Sequence, residues 1–219
     1  RESQQAQKFS DRAISICVEK GIPFWQAVAT INHGHALSMQ GRTDEGISEA
    51  TQGLLAYRAI GASVLQTLYL AQLADMHLIA GQIYAGLARV SEGLAAVSET
   101  GERCVEAELY RLRAELLRRQ GGETEAEADW HRAIAVARRQ EARSWELRAT
   151  LGLCRLWASQ GKQVEARRML AKIYGRFTEG FDTPDLQEAK ALLEELAYYD
   201  PSSRPGFRRT RRHKELCHL

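Results

Sequence analysis

Four charged residues set at helical spacing, Glu108, Arg111, Glu115 and Arg118, offer the clearest recognition chemistry in the sequence, and Arg148 and Arg155 stand forty residues beyond Glu108 and Glu115. On helices in the same register these side chains share one face. A guanidinium pairs in two-pronged fashion with carboxylate or phosphate, so such a face suits an acidic peptide or a nucleotide phosphate. The alternative is a solvated face laced by intrahelical pairs such as Glu115 with Arg111 or Arg118, each worth about 0.2 to 0.5 kcal/mol. The equivalent positions upstream are nearly uncharged: Val28, Ile31, His35 and Ser38, then Leu68, Ala71, Asp75 and Leu78. This predicts a groove that is apolar at one end and basic at the other, with Arg111, Arg118, Arg148, Arg155, His35, Leu68 and Asp75 as candidate partner-binding residues.

No set of residues reads as catalytic or cofactor-binding. His33 and His35 are two apart and point to different helix faces, while His77 takes a core-type position, so convergent metal ligation is not expected. Cys17, Cys104, Cys154 and Cys217 form no CxxC pair and no disulfide framework, which predicts reduced thiols with Cys154 as a buried packing residue. Gly161-Lys162-Gln163 is only a fragment of a phosphate-binding loop, which needs a longer glycine-framed run ending in Ser or Thr. TEGFDTPDLQEA, residues 178–189, brings Asp182, Thr183 and Asp185 together, yet Gly180, a Thr183 cap, Pro184 at the first turn and Asp185 at the positive helix end read as termination and capping.

The elements that position these residues follow from an internal repeat. Gly41, Gly81, Gly121 and Gly161 fall forty residues apart. Small residues recur at Gly46, Gly86, Ala126 and Ala166, then at Gly53, Gly93 and Ala133, with Ile173 departing from the column. A further small column runs Gly34, Ala74, Ala114 and Cys154, and the chain turns again at Gly21, Gly61, Gly101 and near Glu141. Two helices per repeat explain the pattern: the glycines supply turns at positive φ, and the small columns mark where helix axes approach closely.

The pattern resembles the tetratricopeptide repeat, with a period of forty in place of the usual ~34, about one added turn per helix. A longer HEAT-type hairpin is the competing reading. The expected fold is an all-α solenoid: a leading helix in 1–22, four helix-turn-helix repeats in 23–180, a capping helix in 181–198 and a basic, disordered tail in 199–219.

Composition agrees with this. The sequence has 219 residues, 44% of them hydrophobic, and only four prolines, none between Phe24 and Pro184, so long helices meet few obligatory breaks. Of the net charge of +2, residues from Pro201 onward contribute +5 (six Lys or Arg, one acid), which leaves −3 on the body. A slightly acidic body argues against a general nucleic-acid surface; RRTRRHK, residues 208–214, is the one basic run, and it lacks aromatic interleaving. No apolar run reaches the ~18 residues of a membrane span. A cytoplasmic location is expected, and because the chain starts with Arg1 we expect a fragment or processed product.

From Glu106 to Leu196, EAELYRLRAELLRRQGG, AEADWHRAIAVARRQEARSWELRA and YGRFTEGFDTPDLQEAKALLEEL resemble the C-terminal repeat region of multidomain signalling ATPases, often fused to a class III adenylate or guanylate cyclase or a DNA-binding domain. The resemblance implies a regulatory arm that contacts a protein or peptide segment or its own ATPase domain, and no cofactor is expected. ATPase and cyclase motifs are absent, so no such activity is expected of this segment. The alternatives are an enzyme polypeptide whose catalytic domains lie upstream, and a helical-repeat RNA binder.

Overall fold

The structure is a computed structural model and describes residues 2–198. The expected basic tail, with Cys217, therefore lies outside the described residues. Among the described residues the chain forms ten helices and no strand: α1 (Glu2–Lys20), α2 (Pro23–Ser38), α3 (Thr43–Ala59), α4 (Gln66–Ile79), α5 (Ile83–Thr100), α6 (Glu106–Arg119), α7 (Glu123–Arg139), α8 (Arg143–Ser159), α9 (Gln163–Tyr174) and α10 (Pro184–Tyr198). No helix among them is long and apolar enough to cross a membrane. The fold is an all-α, TPR-like solenoid of helical hairpins.

Glycine does at the turns what the repeat requires. Gly41, Gly81, Gly121 and Gly161 close the first helix of each hairpin at φ between +71 and +93°, conformations a Cβ would strain. The turns between hairpins use Gly21, Gly61 and Gly101 at φ +65 to +75°, and where that second series lacks a glycine Glu141 takes the role at φ +55°. The end of α9 departs from expectation: it stops at Tyr174 with Gly175 as its cap, so Gly180, at φ +75°, serves the loop that leads into α10 rather than the helix end itself. Thr183 precedes Pro184, its hydroxyl donates to the Gly180 carbonyl at 2.6 Å, and its own carbonyl accepts from Gln187 N at 3.0 Å, the first bond of α10.

The described residues fall into two compact units divided between Leu153 and Cys154, inside α8. In the first unit α2 and α3 approach so closely that a Cβ on Gly34 would overlap the Gly46 carbonyl and the Ala50 amide. Their common core gathers Ile31, Ala50, Leu54, Tyr57, Leu70, Leu73 and Met76. A second core joins α4, α5 and α6 through Ala74, Val90, Val97, Leu109, Leu112 and Leu116. Trp130 of α7 is fully buried because Gly152 of α8 leaves room for its indole. In the second unit, Ala166, Leu170 and Ile173 of α9 and Leu186, Ala189, Leu192 and Leu196 of α10 are buried. There the Cys154 thiol donates to the Ala166 carbonyl at 3.2 Å.

Candidate functional site

Within the first unit, the first helices of successive hairpins stand side by side, and their shared face holds one cleft of about 210 Å³. Leu68, Ala71, Val105 and Trp145 give it apolar walls, and His35, Gln72, Asp75, Glu108 and Arg148 supply polar groups. Each helix contributes because the forty-residue period returns the same helical face to the same side. Leu68, Glu108 and Arg148 are equivalent positions of α4, α6 and α8.

A chain of polar side chains crosses this face. His35 Nε2 of α2 lies 3.8 Å from Asp75 Oδ2 of α4, Asp75 Oδ1 lies 3.8 Å from Arg111 Nη2 of α6, and Arg111 closes on Glu108. The last pair is fork to fork: Nε and Nη2 donate to Oε2 and Oε1 at 2.8 and 2.7 Å. Burial opposes the charge on Arg111, but the Glu108 carboxylate with its hydrogen bonds, and then Asp75, outweigh it and move the guanidinium pKa upward. Arg111 is therefore a fixed cation.

His35, Leu68, Asp75 and Arg148, four of the seven residues nominated from sequence, line this one cleft. Arg111 sits behind it with its side chain only 16% exposed, bonded to Glu108, rather than presented as a recognition group. Arg118, 45% exposed, faces Glu115 at 3.6 Å. Arg155 belongs to the second unit, where it pairs with Glu188 of α10. The picture of a run of open cations at one end thus gives way to cations already engaged. The upstream face differs as well: Ile31, Ser38, Ala71 and Leu78 are buried. A first helix is packed on both flanks, by its own partner and by neighbouring hairpins, so only a narrow stripe of the nominated face stays open.

Sequence reasoning missed Gln72, Val105 and Trp145. A signal existed for Trp145, which occupies the repeat position of Trp25 and lies three residues before Arg148, whose guanidinium stacks 5.1 Å from its ring centroid. Gln72 Nε2 donates to Asn32 Oδ1 at 3.4 Å, and its Oε1 is buried with no hydrogen-bond partner.

The remaining candidates are structural. His33 is held between Glu49 of α3 at Nδ1 and Asp11 of α1 at Nε2, 3.1 Å for the latter. His77 Nδ1 contacts Gln82 Oε1 at 2.8 Å. No group of three or more His, Cys, Asp or Glu among the described residues could hold a metal ion. Gly161 is a turn residue at φ +81°. Cys154 is fully buried, and burial pushes its thiol pKa up to about 12.

No family model matches the chain, and no curated protein does. Solved structures do. BtubC (BKLC) from P. vanneervenii is 13% identical and superposes with a TM-score of 0.68 over 100% of this chain and 98% of that one. Two structures of a proposed kinesin light chain of Podosopora anserina with nearly identical TPR-like repeats, both 14% identical, give TM-scores of 0.59 (79% of this chain, 85% of that one) and 0.56 (88% of each). At such identities the likeness is one of fold, and it favours the tetratricopeptide-like reading of the forty-residue hairpin.

Proposed function

We propose that this chain is a protein-interaction repeat module that captures a polypeptide segment in the cleft between α2, α4, α6 and α8. The observation that carries the reading is the Gln72 Oε1 acceptor, buried without a partner in a cleft walled by Leu68, Val105 and Trp145. A buried acceptor left unpaired costs about 1–3 kcal/mol, and a peptide N–H laid along the helix face removes that cost while its side chains fill the apolar walls. Arg148, stacked on Trp145, holds that ring as part of the wall. The module acts by contact and carries no catalysis of its own. A pull-down with the chain and with Leu68→Arg tests it: a partner retained by the first and lost from the second supports the cleft, and equal retention removes it.

The finer part of the proposal places the chain as the C-terminal arm of a signalling ATPase or cyclase-type protein, in which the captured segment belongs to the parent's nucleotide-binding domain. Its support is the sequence resemblance across Glu106–Leu196 alone. Reading the coding sequence upstream of Arg1 for an in-frame nucleotide-binding loop decides it. RNA binding would instead show as steeply salt-dependent affinity of residues 1–198.

A further inference from the structure

Two carboxylates line the cleft between α2, α4, α6 and α8, and they are placed differently. Both oxygens of Glu108 accept from the Arg111 fork, at 2.7 and 2.8 Å. Asp75 accepts no hydrogen bond from the side chains of the described residues: His35 Nε2 and Arg111 Nη2 each stand 3.8 Å from it, beyond hydrogen-bond reach. Its side chain is only 30% exposed, so solvent compensates the charge in part. One turn before it on the same face of α4, Gln72 Oε1 is buried with no partner. One helix thus turns two unmet acceptors toward one cleft, beside apolar surface from Leu68, Val105 and Trp145.

The charges single out the same residue. Arg111 and Glu108 neutralise each other at contact, and Arg148 lies over the Trp145 ring of α8. Asp75 is left with a carboxylate whose nearest cation already serves another acid. A group that meets it must bring N–H donors, a positive charge and an apolar portion for the walls. A lysine side chain has all three, since its four-carbon stem lies along apolar surface while the ammonium reaches past it. Arginine suits the place less. Its flat fork engages both oxygens of a carboxylate, and here Oδ1 faces Arg111 while Oδ2 faces His35. A compact ammonium reaches one oxygen where a fork would meet Arg111.

We infer that Asp75 is the specificity residue of the cleft and takes the ammonium of a lysine on the captured segment, which comes from outside these 219 residues. The inference rests on the proposed function of the cleft. A backbone N–H of the segment satisfies Gln72 Oε1, and its lysine reaches Asp75 one helical turn away. Outside the described residues the sequence itself holds one lysine, Lys214, directly after Arg211, Arg212 and His213. Those guanidiniums would be brought against Arg111 and Arg148, a like-charge contact that disfavours such a run. A lysine among uncharged neighbours is the matching ligand.

The test pans two random peptide display libraries on the full chain, identical except for a fixed central lysine in one and a fixed central methionine in the other. Binders should come from the lysine library. Acetylating that lysine should weaken the best binder at least tenfold on the parent chain and less than twofold on Asp75→Asn, with far-UV circular dichroism of the two chains equal. The acetylation arm leaves the chain unchanged, so it decides alone if Asp75→Asn does not fold. Equal yield from both libraries, no binder from either, or a lysine effect that persists in Asp75→Asn overturns the inference. Indifference to acetylation with tenfold losses in Trp145→Ala and Gln72→Leu overturns the lysine and keeps the cleft; indifference to all three changes removes the cleft as well. A tenfold gain in peptide affinity with Lys214→Gln would seat the chain's own terminal run in the cleft and overturn the outside source.

Discussion

Arg111 of α6 and Glu108 one turn before it meet fork to fork, at 2.8 and 2.7 Å, directly behind the cleft. Glu108 is itself buried, and Arg111 reaches on to Asp75 of the preceding hairpin. The pair therefore reads as a strut that fixes the cleft wall rather than as a receptor for ligand charge. Replacing Arg111 by Met should lower stability by about 1–3 kcal/mol, since it leaves a buried carboxylate with less compensation. Denaturant unfolding of Arg111→Met, Glu108→Gln and the double variant checks this. A double variant no less stable than the worse single variant indicates coupling, whereas simple addition of the two losses would count against the strut.

Trp130 and Gly152 form a second coupled pair, a large residue met by a missing one. A Cβ at Gly152 would overlap Trp130 Nε1 and lie 2.9 Å from Glu115 Oε1. In an open helix Gly→Ala gains up to ~1 kcal/mol, yet here Gly152→Ala should destabilise by about 1–3 kcal/mol through overpacking. Trp130→Leu adopts the residue found forty positions on, Leu170, and should recover most of that loss when combined with Gly152→Ala. Thermal melts of the three variants give the comparison; no recovery in the double variant would show that the clash lies elsewhere.

Cys154 carries a pH signature. Its thiol pKa rises from the ordinary 9 to about 12, chiefly through burial, against a smaller lowering by a backbone hydrogen bond at Leu170. Above pH 9 the unfolded chain gives up a proton that the folded chain keeps. The contribution is therefore complete below about pH 9 and is lost as the pH climbs towards 12. The stability difference between the parent chain and Cys154→Ala should shrink across that window. Iodoacetamide in native buffer should modify exposed Cys104 while sparing Cys154, as mass spectrometry of the digested chain would show.

The architecture was legible because glycine punctuates it: a turn at positive φ every forty residues leaves a mark that packing does not erase. Glu141 shows the limit, since the same geometry is met there by a residue that carries no such mark. The cleft was only partly legible. Helical spacing put Leu68, Asp75 and Arg148 on one face, but which stripe stays open depends on two flanking neighbours, and those buried Ile31 and Leu78. Gln72 gave no warning at all, because an unpaired amide oxygen becomes informative only once its neighbours are placed around it.

Trp145 offers the most direct test of the central claim, that the face of α2, α4, α6 and α8 in the first unit captures a polypeptide segment. Peptides selected from a random display library on the full chain should be titrated against the parent and against Trp145→Ala, with circular dichroism confirming equal helicity. The account predicts at least a tenfold loss of affinity, and a comparable loss with Gln72→Leu, which removes the buried acceptor. Selected peptides that bind all three chains equally would contradict it.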